Sequence, residues 1–220
     1  MLKFLNRIKN SFRDIGYFSQ EGEDFYISKI IDTTKPGYYV DVGSAHPVNA
    51  SNSYLLYLNG WRGLCVDATP GLNDLYHTHR PKDLFINAFV GKCSGTREFY
   101  IFNEPFLNTG SRQRKDFLSG KTDYEFQKQV SVQQLPLKEI LEKNVPPEKT
   151  IEFMSLDVEE GELEVLESND WSRYRPRVVV MEVLHQDREK IGENSAVQFL
   201  KKQGYRPTII LPRSVFFTAL

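Results

Sequence analysis

Short continuous apolar runs alternate along the chain with stretches in which apolar residues recur every three or four positions. The runs are Tyr38–Val42, then residues 63–66, 84–90, 151–156 and 177–183, and each ends in polar or small residues. Four to eight apolar residues bounded by turn formers read as a strand buried on both faces. Between them, residues 52–58, 72–79, 136–143, 162–167 and 195–203 read as helices, with Leu137, Ile140 and Leu141 inward in the third. Breakers punctuate the series: Pro36-Gly37 before the first strand, Asn59-Gly60 after the first helix, and Gly204 where a C-cap glycine belongs. Residues 96–102 alternate like a hairpin strand, 129–133 form a short strand, and 205–211 and 214–218 close the chain as antiparallel strands. Residues 103–127 are polar and irregular, and a connection of that length is usually functional or disordered.

This order predicts an α/β fold: a mainly parallel, Rossmann-like sheet with helices on both faces. Ligands of such sheets bind beyond the carboxyl ends of the strands. The strand ends carry Asp41, Gly43 and Ser44; Asp67 and Ala68; Asn87 and Ala88; Asp157 and Glu159; Glu182 and His185. Polar, mostly acidic residues therefore converge on one edge.

Composition narrows the class. At 220 residues the chain has the length of one domain and needs no staples. Its 28 basic and 29 acidic residues leave a net charge of −1, which argues against a dedicated nucleic-acid binder. Runs such as Val178-Val179-Val180-Met181 are too short to span a bilayer. Cys65 and Cys93 lie in stretches that read as sheet; they form neither a disulfide framework nor a zinc site, and read as reduced core thiols of a cytoplasmic protein. Residues 1–17 read as an amphipathic helix preceding a single domain over 18–220. Its Leu2, Leu5, Ile8, Phe12 and Ile15 suit packing on the body or on a second copy, as in a homodimer; the basic residues between them suit weak contact with a membrane surface.

The first strand turn, Gly43-Ser44-Ala45-His46, holds one glycine of a nucleotide loop rather than G-x-G-x-x-G, and no P-loop occurs. Asp67 lies 24 residues beyond Gly43, about the spacing at which a carboxylate takes a ribose diol. A cofactor with a ribose and no phosphate suits this edge, and S-adenosylmethionine is one. Asp41 and Asp67 would equally suit helix capping or pairing with arginine. An NAD-linked oxidoreductase would use the same edge, but the second and third glycines are missing. A non-catalytic interaction protein would not need the acids at all.

The chain resembles the FkbM-like family of SAM-dependent methyltransferases. The resemblance rests on an ordered set: Ser19-Gln20-Glu21-Gly22-Glu23-Asp24, then Tyr39-Val40-Asp41-Val42-Gly43-Ser44-Ala45-His46-Pro47, Ser51-Asn52-Ser53, Gly60-Trp61-Arg62-Gly63, the segment 151–159, and 175–182. It implies a class I methyltransferase fold with closing antiparallel strands and methylation of hydroxyls on saccharides or other small acceptors. A sugar of a surface glycan, or its nucleotide-linked or phosphorylated precursor, heads that set; a natural product or a nitrogen or phosphoryl acceptor is the alternative.

The resemblance also distributes roles. Asp41, Gly43 and Ser44 line the aminoacyl end of the cofactor, Asp67 holds the ribose, and Ala68 and Asn87 meet the adenine. Gln20 and Glu23 close over it, although Ser19 and Glu23 also suit capping and ion pairing. Asp157 is the first candidate for general base, with Glu159 sharing the task and Glu182 and His185 behind them. His46, in the first loop, is a candidate for substrate contact. The segment NTGSRQRK, with Ser111 and Arg112, would read the acceptor, its arginines suiting a phosphate or carboxylate. Asp157, Glu159, Glu182 and His185 together suit Mg²⁺ or Ca²⁺, but nothing in their spacing demands a metal. Two departures stand out: the family's usual Glu closely followed by Pro is here Asp67-Ala68-Thr69-Pro70, and Glu160 intervenes before Gly161, which would shift the following helix by one residue.

Overall fold

The computed structural model describes residues 16–120, 123–183 and 188–220. Its strands are β1 (Tyr38–Val42), β2 (Arg62–Asp67), β3 (Leu84–Asn87), β4 (Phe89–Val90), β5 (Gly95–Phe102), β6 (Phe126–Leu135), β7 (Ile151–Leu156), β8 (Val178–Glu182), β9 (Tyr205–Ile210) and β10 (Ser214–Ala219). Its helices are α1 (Glu23–Ile30), α2 (Tyr54–Leu58), α3 (Leu72–His79), α4 (Arg112–Ser119), α5 (Leu137–Asn144), α6 (Glu162–Glu167) and α7 (Ser195–Lys202).

Every residue of β1 is buried, because helices cover both faces of the sheet. Its side chains alternate between two apolar layers. Tyr38, Val40 and Val42 join Val66, Met154 and Met181 on one face; Tyr39 joins Cys65, Phe153 and Phe216 on the other. The main sheet runs β3-β2-β1-β7-β8-β10-β9, parallel except for β10, which is antiparallel to both neighbours. This is the doubly wound α/β arrangement of a class I methyltransferase. The strand order reverses between β1 and β7, and the connections on either side of that crevice leave room for a ligand.

Local chemistry sets the ends of the helices. Asn194 caps α7 by accepting from the N–H groups of Ala196 and Val197, and Gly204 follows the helix at φ +77°. Leu137, Ile140 and Leu141 of α5 are buried, as the spacing predicts.

Four expectations need correction. The run 84–90 is two strands: the Ala88 N–H bonds the Asp67 carbonyl, after which Phe89 and Val90 pair with β6 in a second sheet of order β4-β6-β5. The strand expected over 129–133 extends over Phe126–Leu135, because β5 pairs along nearly its whole length and leaves most of its side chains in solvent. Among the described residues, the irregular stretch 103–127 contains a 3₁₀ turn at Pro105–Leu107, the helix α4 and the start of β6. Cys65 is buried, but Cys93 follows β4 in a turn and is exposed. The amphipathic stretch 1–15 lies outside the described residues. No helix among the described residues is long and apolar enough to cross a membrane.

Candidate active site

The carboxyl ends of β1, β2 and β7 form one cleft. Gly43 turns the chain out of β1 at φ +75°, and a Cβ there would sit 1.7 Å from the Asp157 carbonyl oxygen. The absence of a side chain thus lets the β1 turn lie directly on β7. Its N–H donates to the Val66 carbonyl at 2.8 Å. Asp67, at the end of β2, accepts from the Ala45 N–H at 2.9 Å through Oδ2 and from the Thr69 N–H at 2.7 Å through Oδ1. One carboxylate therefore latches the loops after β1 and β2 together while facing a cleft of about 620 Å³, its mouth included. Ala68, Phe89, Phe99, Asn108, Gln20, Asp157 and Glu159 are among its walls. A smaller cleft continues from Gly43 past Asp41, Ser44, Asn52 and Ser155. In it, the Ser44 Oγ is buried with no hydrogen-bond partner.

Beneath that second cleft lies a buried polar network. The Arg80 guanidinium is fully buried and donates to Asp83 at 2.7 Å, to the Tyr39 hydroxyl at 2.7 Å and to the Ser53 Oγ at 3.0 Å. Ser53 in turn donates a short hydrogen bond to Asp41. Burial pushes the Asp41 carboxyl up, and the positive charge of Arg80 draws it back. Asp41 thus reaches the cleft from a satisfied and rigid setting.

At the end of β7 and β8, Asp157, Glu159 and Glu182 bring carboxylate oxygens within 4.8 Å of one another. Burial and the neighbouring Glu182 and Glu159 hold Asp157 well above the usual carboxylate range. Burial, then Glu182, push Glu159 up to about 8, against the pull of Arg114 and Arg213. Arg213 donates to the buried Glu182 at 2.5 Å and to the side-chain Oε1 of Gln20 at 3.0 Å. Arg114 ion-pairs with Glu159, and its Nη1 lies 3.5 Å from Glu160. These carboxylates have the oxygen chemistry for a hard dication, although arginines already balance two of the three.

The residue expected to shift α6 has a different effect. Gly161 still precedes the helix at Glu162–Glu167, and the extra residue is absorbed by a turn in which Glu159 and Glu160 both adopt positive φ, 57° and 79°. Each such non-glycine conformation costs about 1–3 kcal/mol. A polar cleft of about 1160 Å³, solvent included, opens beside this turn. Phe89, Tyr100, Ser111, Arg112, Glu98 and Glu160 are among its walls, and it shares Phe89, Val158 and Glu159 with the first cleft.

Of the residues singled out from sequence, Gln20, Asp41, Gly43, Ser44, Asp67, Ala68, Asp157 and Glu159 line the two joined clefts. Glu182 stands behind Asp157 and Glu159, and Ser111 and Arg112 line the polar cleft. Ser111 also caps α4 by accepting from the Arg114 N–H at 3.1 Å. Three assignments change. Asn87 does not line the cleft; its amide donates to the carbonyls of Asp67 and Thr69, at 2.8 and 2.9 Å, and so fastens the β2 loop. Glu23 accepts from the Ser214 hydroxyl and the Glu21 N–H, both at 2.8 Å, and pins the segment that presents Gln20. The Nδ1 of His46 accepts from the N–H groups of Val48 and Asn49 and shapes its own loop, outside the lining of these clefts. His185 lies outside the described residues.

Sequence reasoning missed Arg80 and Arg213, and placed Asn108 and Arg114 only as members of the segment NTGSRQRK. Arg80 reads locally as an i,i+3 pair with Asp83, and its ties to Tyr39 and Ser53, like those of Arg213 to Gln20 and Glu182, are to residues distant in the chain. Arg114 stood in a segment read as facing the acceptor, whereas it turns inward.

The family model described as "Methyltransferase FkbM domain" matches residues 41–207. Among solved structures, the chain is similar to a TehB-like SAM-dependent methyltransferase from Corynebacterium glutamicum, with a TM-score of 0.46 and 11% identity over 100% of both chains. It is also similar to apo CalS11, a TDP-rhamnose 3′-O-methyltransferase of calicheamicin biosynthesis (TM-score 0.48, 14% identity, 90% of this chain and 79% of that one). A third is an O-methyltransferase from Bacillus cereus in complex with SAH, with a TM-score of 0.47 and 10% identity over 97% and 88% of the two chains. No curated protein matches the chain.

Proposed function

The chain belongs to the FkbM methyltransferase family, and from that premise we propose that it transfers a methyl group from S-adenosylmethionine to a hydroxyl of a saccharide acceptor. One observation carries the reading: the ribose-type cleft and the polar cleft meet at Glu159, beside a cluster of carboxylates. The residues fit the cofactor on their own terms. Asp67 keeps lone pairs for a diol after accepting two backbone N–H groups. Ala68, Phe89 and Phe99 offer apolar surface to a base. The unpartnered Ser44 hydroxyl and the buried Asp41 suit an aminoacyl end.

When bound, the cofactor supplies an electrophilic methyl whose C–S bond breaks as the acceptor's O–C bond forms. The protein's share is alignment and proton removal. Alignment alone supplies roughly 7–11 kcal/mol in such displacements. Glu159, facing both clefts, takes the hydroxyl proton, with Asp157 and Glu182 as its neighbours; a base poised near neutral pH contributes roughly 10²–10⁴-fold. Phe89 and Tyr100 offer flat faces, and Glu98, Ser111 and Arg112 polar partners, to a hydroxyl-rich ring. With Arg114 turned onto Glu159 and Glu160, Arg112 is the arginine of its segment that lines the cleft and meets an anionic group on a phosphorylated or nucleotide-linked sugar.

Calorimetric titration with S-adenosylhomocysteine (SAH), with NAD as comparison, tests the cofactor. Release of SAH in the presence of saccharide acceptors then tests the reaction. Binding of NAD in place of SAH would overturn the reading. Methylation of an amine with no turnover of hydroxyl acceptors would overturn the oxygen assignment alone.

A further inference from the structure

We propose that Arg114 is a positioning residue for this chemistry: it clamps Glu159 and Glu160 from α4 and so holds the Glu159 carboxylate at the junction of the two clefts. The inference rests on the reading of Glu159 as the group that faces the acceptor.

Three observations support it. First, Arg114 belongs to the segment between β5 and β6, outside the main sheet, yet its side chain is only 11% exposed and pairs with the loop after β7. Second, its two terminal nitrogens divide between consecutive glutamates, Nη2 on Glu159 and Nη1 on Glu160. A forked guanidinium can hold two carboxylates in fixed relation in a way that a single ammonium cannot. Third, those two glutamates are the residues held at positive φ. Side chains avoid that conformation unless their surroundings impose it, and Arg114 bridges both of them. α4 is itself set by the Ser111 cap, so the segment that forms the wall of the polar cleft also aims the carboxylate inside it.

The groups around Glu159 make the clamp electrostatic as well as steric. Glu182 and Glu162 oppose its charge, Arg114 and Arg213 favour it, and Glu159 in turn pushes up the neighbouring Asp157. Removing Arg114 leaves Glu159 among like charges with Arg213 as its remaining cationic neighbour. Its proton is then held more tightly, and the turn is free to relax.

The test compares wild type, Arg114→Gln and Arg114→Lys in three measurements. These are SAH affinity by calorimetry, the pH titration of the Glu159 carboxyl by NMR of ¹³C-glutamate-labelled protein (assigned with Glu159→Gln), and kcat with an accepted saccharide. The glutamine variant is expected to bind SAH as wild type does, to titrate Glu159 at higher pH, and to lose about 100-fold in kcat, the order of loss for a displaced catalytic group. The lysine variant restores the titration and part of the rate. An unmoved titration and unchanged kcat in Arg114→Gln would overturn the proposal. So would parallel losses of Tm, affinity and rate in both variants with the titration unmoved, which is the pattern of a residue that merely packs α4. Should the glutamine variant not fold, the lysine variant decides: a wild-type titration with only part of the rate would support the clamp, and a kcat equal to wild type would overturn it. Failure of the wild type to bind SAH would instead overturn the methyltransferase reading beneath the proposal, and is read independently of Arg114.

Discussion

Replacing Asp67 by alanine tests two roles of one carboxylate. Its oxygens accept the Ala45 and Thr69 N–H groups at 2.9 and 2.7 Å, and the side chain also faces the cleft. A hydrogen bond to a charged partner contributes about 1.5–3 kcal/mol, and the alanine variant leaves both donors unpaired, so the latch is worth about 3–6 kcal/mol. That is a large part of a total stability of about 5–15 kcal/mol. At about 2–4 °C per kcal/mol for a chain of this size, Tm falls by on the order of 10 °C or more. Cofactor affinity falls as well. Loss of a diol contact worth about 3 kcal/mol corresponds to roughly 100-fold in Kd. Thermal unfolding by circular dichroism and calorimetric titration with SAH, run well below the variant's Tm, separate the two effects. Asp67→Asn keeps one acceptor oxygen and should fall between. An unchanged Tm would refute the latch. An unchanged Kd in a folded variant would refute the ribose assignment.

Gly43→Ala places a Cβ against the Asp157 carbonyl in a left-handed turn. Strain and overpacking together should cost about 2–5 kcal/mol and abolish SAH binding, as thermal unfolding and calorimetry would show. If Glu159 is the base, kcat/KM rises with pH through about 8, where its carboxyl loses its proton. A profile flat from pH 6 to 9 in Glu159→Gln, against a sloping wild type, would support this, and identical profiles would refute it. Glu162 is pushed up to about 7, chiefly by burial. A folded-state pKa above the unfolded value adds stability that is complete below the unfolded pKa, near 4.5, and is lost as pH rises through about 7. The contribution is at most about 3 kcal/mol, and Glu162→Gln should flatten the fall of Tm between pH 5 and 8. Because Arg114 and Arg213 already balance Glu159 and Glu182, activity should survive EDTA; loss of activity restored by Mg²⁺ would show instead that the carboxylates hold a cation.

The strands and most helices were legible because burial on both faces leaves an unmistakable mark: the reading of β1, β7, α3 and α6 agrees with the structure residue for residue. What escaped lacks such a mark. In α1, Phe25, Tyr26 and Ile27 are adjacent, which hides the helical period. β6 shows mostly polar side chains to solvent and is held by its ladder with β5 rather than by apolar alternation. Asn87 is the one polar residue of the run 84–90, and a single polar position does not signal that Phe89 and Val90 leave the main sheet for a second one. In the site, acids at strand ends were found because the topology sends every parallel strand end to the same edge. Asn87 and His46 were misassigned because position alone does not say whether a polar side chain faces a ligand or fastens its own loop.

The sequence by itself determined the fold class, the edge on which chemistry gathers, and the acids that mark it, since these follow from local periodicity and from the spacing of strand ends. Only the tertiary structure decided the charge environment of those acids. Arg80, Arg114 and Arg213 reach them from elements far along the chain. Electrostatic interactions inside a protein depend on distance and burial rather than on sequence separation. Which carboxylate is held ionised, which keeps its proton, and which is aimed between two clefts are therefore properties of the folded chain alone.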